Sequence, residues 1–532
     1  MTRFGAAESG LFDVSSAEIA AYHPGSRGIL VTNGAIGLEC WGLPEAGAPD
    51  GGEAPGPGGA AGAARPGTQA AGQLVPERRW LRRQGGVTSV AVHGDLVALA
   101  AAGPTAGAPG LIRFFTPDGK DLGRVRTPPG PDMVTFTPDG SLLLVALEGE
   151  PSPDGSVDPE GGVGIVDLRA GVANASLRVL GFQAFESQRP ELERRGLRVV
   201  TPGATLAQDA EPEYIAVAPD GTRAFVTLQE NNAVAVVDLA RQEVESIQPL
   251  GFRDALRPGH GLDASDSDGR AEPRPWPVLL MPQPDAVAAF QADGATWLLT
   301  ADEGEPRTGA FNEVISLQQA LAMRASGAPM GAAELAAAAA GGAGHLQVSC
   351  VPAPASAGGG ICAFGTRGAS LWKVAADGSL TLAWESGDAF ERIMAARWPD
   401  AFNEDHHPGR REARSTVRGP EPEGVALGEA GGRRLAFVTL ERPGAVVVLD
   451  VTSPPEVRVV GACSGRTPGA ELRPPERKGQ EPPEWRKAGD LGPEGVLFIP
   501  AAISPTHEDL LVVCNEVSGT TALWRVQAAP LR

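Results

Sequence analysis

The chain has 532 residues, 65 acidic against 45 basic, and a formal net charge of −20, which repels nucleic acid and anionic membranes and favours cations. Its 70 glycines and 48 prolines suit a turn-rich protein and not a helical one, and no apolar run reaches the ~18 residues of a membrane span. The amino terminus, Met1-Thr2-Arg3-Phe4-Gly5, lacks the apolar core of a secretory signal, so no signal peptide or anchor is visible.

Ala17-Glu18-Ile19-Ala20 through Val31-Thr32-Asn33 reads as a first, weak copy of a repeat: an acid, an alternating strand, a turn and a returning strand. Residues 44–73 are almost wholly Gly, Ala and Pro and read as a flexible insertion. The poorest copy runs from Thr88-Ser89-Val90-Ala91 to Leu99, with Ser89 where the others place an acid. The third runs from Pro131-Asp132-Met133-Val134 through Glu148 to Ile165-Val166-Asp167-Leu168, and Phe182 to Arg195 after it reads as one short helix. The clearest copy starts at Glu211-Pro212-Glu213-Tyr214, turns at Pro219-Asp220-Gly221, passes an acidic corner at Glu230 and ends at Val237-Asp238-Leu239. Pro284-Asp285-Ala286-Val287 through Asp302-Glu303 follows, and residues 312–345 read as a helical, low-complexity insertion. Cys362 to Val374 returns as strand and brings Arg367, and Glu385 to Gly419 reads as a charged loop carrying Arg414 and Arg418. The last copies open at Pro422-Glu423-Gly424-Val425 and Pro493-Glu494-Gly495-Val496, with corners at Glu441 and Glu516. Seven meanders predict an all-β fold, a seven-bladed β-propeller with loop and short helical insertions, in which residues 1–532 form a single domain.

In a propeller the opening strands line one axis, so Glu18, Ser89, Asp132, Glu213, Asp285, Glu423 and Glu494 are expected to ring one mouth. The corners add Glu148, Glu230, Glu303, Glu441 and Glu516 at the same end. So many carboxylates coexist in a low-dielectric funnel only by protonating, pairing with arginine or binding cations. Oxygen donors with almost no His or Cys favour a hard ion: calcium first, then magnesium or another divalent metal. The candidate metal ligands are therefore Asp132, Glu148, Glu213, Glu230, Asp285, Glu303, Glu423, Glu441, Glu494 and Glu516. Any one of these acids could equally bond backbone amides of the next repeat. Arg367, Arg414 and Arg418 lead towards the mouth, where they either neutralise the acids or bind a phosphate or carboxylate as substrate-binding residues.

Other signals carry less. Asp263, Asp266 and Asp268 resemble a calcium loop, but with Gly269 as its turn glycine Ala264 and Pro275 fall on ligand positions, so a solvated acidic loop is expected. Asn403-Glu404-Asp405-His406-His407 offers ligands for a transition metal, but adjacent histidines in a Pro-flanked loop read first as exposed. Cys350 and Cys362 are spaced for a bridge only in an oxidising compartment, and Asn174-Ala175-Ser176 is a glycosylation sequon only if the chain is secreted. No nucleophile elbow, zinc-protease helix or phosphate loop is present, so catalytic residues stay unassigned.

Several strings together, among them Thr135-Phe136-Thr137-Pro138-Asp139-Gly140, Leu228-Gln229-Glu230-Asn231-Asn232-Ala233, Leu262-Asp263-Ala264-Ser265-Asp266, Gly419-Pro420-Glu421-Pro422-Glu423-Gly424 and Asn515-Glu516-Val517-Ser518-Gly519-Thr520, resemble the choice-of-anchor I family. That family includes mesenchyme-specific cell-surface glycoproteins linked to calcium-carbonate biomineralisation, and bacterial members described as alkaline phosphatases. The resemblance implies an extracellular or cell-surface, calcium-dependent propeller. The chain departs from the family pattern at Leu147-Glu148-Gly149-Glu150-Pro151, at Arg414-Ser415-Thr416-Val417-Arg418-Gly419 and at Arg367-Gly368-Ala369-Ser370-Leu371-Trp372, which puts catalysis in question. The expectation is a monomeric calcium-binding module with a binding or structural role linked to biomineralisation, its partners divalent cations and a phosphate or carbonate mineral. The alternative is a metal-dependent, alkaline phosphatase-like phosphoric ester hydrolase whose partner is a phosphate ester.

Overall fold

A computed structural model describes residues 1–43, 77–324, 341–406, 410–467 and 485–528. The fold is all-β. Among the described residues there are seven four-stranded antiparallel sheets and one sheet of five strands. The four-stranded sheets follow one another along the chain, and their opening strands are Ala20–His23, Val87–His93, Pro131–Phe136, Pro212–Val217, Val287–Ala292, Pro422–Ala430 and Pro493–Ile499. We number the sheets 1 to 7 in that order. The fourth strand of sheet 7 is the amino-terminal Thr2–Glu8, which pairs antiparallel with Thr520–Arg525 and ties the two ends of the chain together.

The alternation of the sequence explains the layers. Inner strands such as Gly28–Asn33, Leu142–Leu147 and Leu510–Asn515 are buried throughout, packed on both faces, whereas outer strands such as Asp121–Arg126 and Ser176–Gly181 alternate towards solvent. Apolar clusters fill the space between successive sheets: Leu30 and Leu38 with Val97 and Leu99, Ala98 and Ile112 with Leu143 and Val145, Leu144 and Ile165 with Val226 and Ala235. The series continues around the molecule and closes with Ile29 and Val31 of sheet 1 against Leu510 and Val512 of sheet 7. Opening strands contact their neighbours in the same cyclic order. The Pro-Asp-Gly turns are set by chemistry: the Gly221 amide donates to Ala218 O at 2.8 Å with φ of 69°, and Asp220 Oδ1 accepts from the Thr222 amide at 3.0 Å.

Several sequence expectations change. The expected single helix after sheet 3 is a 3-10 turn, Gln183–Gln188, running into Arg189–Arg194. Of the insertion at 312–345, the described part holds the strand Val314–Ser316 and the helix Leu317–Arg324; residues 325–340 lie outside the described residues, as does the insertion at 44–73. The five-stranded sheet, built from Arg253–Asp254, Leu279–Met281, Cys362–Phe364, Gln347–Ser349 and Val314–Ser316, was not expected, because runs of two or three residues are too short to show alternation. The charged stretch 385–419 contains a nine-residue helix, Ala389–Arg397, with Phe390 and Met394 buried. In the Asp263 loop Asp266 and Asp268 are exposed, as a solvated loop requires, but Asp263 is buried and accepts from the Ser265 and Glu272 amides at 3.1 and 3.2 Å. Nor is His406 exposed, since its Nε2 lies 3.0 Å from Glu441; His407 lies outside the described residues. Cys350 and Cys362 are not bridged.

Candidate metal centre

The opening acids sit where a strand irregularity puts them. In sheet 3 the pairing steps from Pro131↔Leu147 to Val134↔Val145, so Asp132 and Met133 together face one residue of the next strand. The same bulge recurs at Thr88-Ser89, Glu213-Tyr214, Glu423-Gly424 and Glu494-Gly495. A bulge re-aims side chains and bends the strand. Here Ser89, Asp132, Met133, Tyr214 and Glu494 from these bulges line one cavity of about 180 Å³ together with Glu18, Asp285 and Glu516.

A belt of hydrogen bonds fixes this arrangement between sheets. Thr439 Oγ1 accepts from the Gly424 amide at 2.7 Å and donates to Glu494 O of the next sheet at 2.9 Å. Thr227 does the same between the Tyr214 amide, at 2.8 Å, and Asp285 O, at 2.9 Å. Thr88 Oγ1 donates to Asp132 O at 2.7 Å, and the Gly495 amide to Glu18 O at 3.0 Å. The glycines of the two Pro-Glu-Gly motifs follow from this closeness: a Cβ on Gly424 would lie 2.5 Å from Glu494 O, and one on Gly495 would lie 2.2 Å from Glu18 O. Replacing Thr439 by Val leaves the buried Gly424 amide unpaired and is expected to cost about 1–3 kcal/mol in urea unfolding, with Thr439→Ser near the parent. A valine variant no less stable than the serine one would discard the belt as a stabilising element.

Two settings recur among the predicted ligands and their neighbours. Oxygens of Asp285, Glu423 and Glu494 all come within 4.8 Å of one another, as do those of Glu303, Glu421 and Glu423. Among the described residues no arginine or lysine pairs with Asp285, Glu423 or Glu494. The second group is different. Arg418 pairs with Glu303 and Glu305 and lies 3.2 Å from Glu421, which also meets Arg414 at 2.6 Å and Arg442 at 2.8 Å. Arg442 reaches Glu441 as well, at 2.9 Å. On the opposite side Arg307 pairs with Glu211 beside Glu148 and Glu230.

Proton affinities follow these settings. Burial first, then Glu516 and Asp132, pushes Glu18 up to about 8, and burial takes Asp132 to about 7. Burial, followed by neighbouring carboxylates, also raises Glu148, Glu213, Asp285, Glu423 and Glu494 well above the usual range. Burial raises Glu230 and Glu303 against the opposing pull of Arg307 and Arg418. Glu421 alone goes the other way: burial works against its charge, but Arg418, Arg442 and Arg414 together hold it below the usual range. Tyr214 is pushed up to about 12 by burial and by Asp285, Glu494 and Asp132, so it stays a hydroxyl donor among carboxylates.

Of the predicted arginines, Arg414 and Arg418 reach the acids. Arg367 does not: it is buried one layer behind, donating to Asp263 O at 2.7 Å, Glu391 at 2.9 Å and Ser415 O at 2.8 Å. It thereby braces the segment that carries the other two. Gly419 is required there, with φ of 65° and a Cβ position 2.9 Å from both Arg367 and Glu391. Sequence reasoning missed Glu421, Arg442, Arg307 and Tyr214. A cation inside an acidic corner, as in Glu441-Arg442 and Glu303-Gly304-Glu305-Pro306-Arg307, is the signal that marks two of them.

No helix among the described residues is long and apolar enough to cross a membrane. In comparison with known proteins, the chain is 30% identical over 310 residues to the mesenchyme-specific cell surface glycoprotein of Strongylocentrotus purpuratus, a match covering 52% of this chain and 39% of that protein. It is 26% identical over 178 residues to gigasin-3a of Magallana gigas, covering 31% of this chain and 58% of that one. Both matches thus span less than two thirds of the relative. Among solved structures, the chain is similar to the β-propeller domain of Cps50 (Swd1) from Myceliophteria thermophila, at 9% identity and a TM-score of 0.44 over 97% of this chain and 99% of that one. It is likewise similar to hydrazine synthase of Kuenenia stuttgartiensis, at 10% identity and a TM-score of 0.45 over 97% and 96% of the two chains. The sequence profile of the choice-of-anchor I domain matches residues 64–454, and the chain belongs to that family.

Proposed function

We propose that the seven four-stranded sheets are the blades of one propeller and that its axial funnel binds a hard divalent cation, calcium before magnesium, as a binding or structural module of cell-surface type. One observation carries this reading. Asp285, Glu423 and Glu494 bring oxygens within 4.8 Å of one another without a paired arginine or lysine among the described residues, while Arg418 already supplies positive charge to the group that shares Glu423. The donor set fits the ion: carboxylate oxygens, a neighbouring cavity, and a buried Glu18 Oε2 in its lining with no hydrogen-bond partner. A bound cation would offset repulsion among acids from sheets 1, 3, 5, 6 and 7 and so lock the ring. Organisation of calcium mineral at a surface is the use that the family resemblance adds.

The hydrolase alternative needs arginines to grip an ester, and Arg367, Arg414 and Arg418 each already hold carboxylates. Binding without turnover is therefore the better supported reading. Thermal melting tests it: calcium at a hundredfold its dissociation constant is expected to add about 2.7 kcal/mol over the chelator-treated protein. The Asp285→Asn/Glu494→Gln double variant should lose that gain. An unchanged midpoint at millimolar calcium would overturn the proposal.

A further inference from the structure

A second cavity, of about 440 Å³, lies beside sheets 3 and 4, within the size range of small-molecule pockets. Its wall towards the acidic funnel is the Glu211–Arg307 pair, and its other walls come from the loops around Asp158, Thr201 and Phe311. These walls are held from behind. Asp209 accepts from the Val200 and Thr201 amides at 3.1 and 3.0 Å, and Arg307 Nη2 donates to Asp209 O at 2.6 Å.

The lining carries groups that its own fold leaves unused. Arg307 has a side chain only 4% exposed, and its buried Nε has no hydrogen-bond partner. A buried guanidinium N–H without an acceptor is costly, and Arg307 lines the cavity, so an acceptor oxygen of a ligand seated against that side chain is the group the site lacks. Asp158 offers a half-buried carboxylate from the other side, and Phe311, Pro151 and Pro202 supply apolar surface.

Charge decides what such a site takes. Asp158 and Glu211, both raised in proton affinity first by burial, face one guanidinium that Glu211 already pairs, so a phosphate or carboxylate finds no free cation, while a metal ion would meet Arg307. A neutral ligand with several hydroxyls escapes both penalties, because each hydroxyl can donate to a carboxylate and accept from the guanidinium while the C–H face of its ring lies on Phe311. We propose that this cavity binds a neutral sugar of one or two rings, at a site separate from the cation funnel.

The test uses the whole chain. Glucose, galactose, mannose and N-acetylglucosamine, each at about 10 mM, are examined by saturation-transfer NMR and calorimetry, with inorganic phosphate as competitor. Saturation transfer to at least one of the sugars is expected, undisturbed by phosphate. Phe311→Ala and Asp158→Asn, both at partly exposed positions, should each weaken binding about tenfold and leave the calcium-induced melting shift intact, so the two proposals fail independently. Silence from all four sugars, displacement by phosphate, or parent-like binding by both variants would overturn the assignment.

Discussion

Glu421→Gln is expected to destabilise the protein by about 3–5 kcal/mol, the cost of leaving buried charge uncompensated. Glu421 is wholly buried and lies within 2.6–3.2 Å of Arg414, Arg442 and Arg418. Arg418 and Arg442 also hold Glu303, Glu305 and Glu441, whereas Arg414 has no other carboxylate partner among the described residues, so removing the Glu421 charge strands Arg414 near the funnel. Glutamine keeps the shape and two acceptor lone pairs, so the loss reports charge and not packing. Because the substitution leaves Asp285, Glu423 and Glu494 untouched, calcium should still stabilise the variant. Urea unfolding in chelator and in calcium measures both effects. A loss below about 1 kcal/mol, in the range of an exposed pair, would show that Glu421 does not anchor the arginines.

The Pro-Glu-Gly and Pro-Asp strand starts were readable because seven copies of one layout place equivalent residues at equivalent places, and the alternation in Ala233-Val234-Ala235-Val236-Val237-Asp238 marks a strand without help from tertiary structure. What the repeat does not encode is how each acid is aimed. That depends on a bulge two residues long and on threonines such as Thr227 and Thr439, more than a dozen residues away in sequence, bonding the next sheet. Glu421 escaped notice because it lies two residues before the repeating position held by Glu423, and Arg442 because a lone arginine in a turn looks like solvated charge. The amino-terminal strand Thr2–Glu8 carries the weak pattern of an edge, so its pairing with Thr520–Arg525 shows only in three dimensions. Arg367 misleads in the opposite sense: its sequence neighbourhood suggests the mouth, yet positive φ at Gly365 and at Arg367 itself turns it back under the 415–419 segment.

Without divalent cations, stability is expected to fall as pH rises from about 5 to about 8, and calcium should remove most of that slope. The sign follows from linkage. An acid whose folded proton affinity exceeds its unfolded one keeps a proton that the unfolded chain has released, so raising pH favours unfolding throughout that window. The window opens near the unfolded carboxyl values of ~4 and extends to the raised values of Asp132, about 7, and Glu18, about 8. Each proton retained by the folded state contributes a slope of about 1.4 kcal/mol per pH unit. Asp302, raised to about 6, and Asp263, raised to about 7, add to the fall but lie outside the funnel, so calcium leaves their share in place. His406, lowered by burial, works against the trend by at most one proton below its ordinary value. Glu421, held low by three arginines, contributes stability that is lost only as pH falls below the usual carboxylate range. Calcium competes with the funnel protons, so its stabilisation should grow with pH and its binding should release protons. Urea unfolding at pH 5, 6, 7 and 8, with chelator and with calcium, reads the whole pattern. Chelator curves that are flat or rise with pH, or a calcium gain equal at both ends, would mean that the carboxylates at the axis carry their charge without help from a cation.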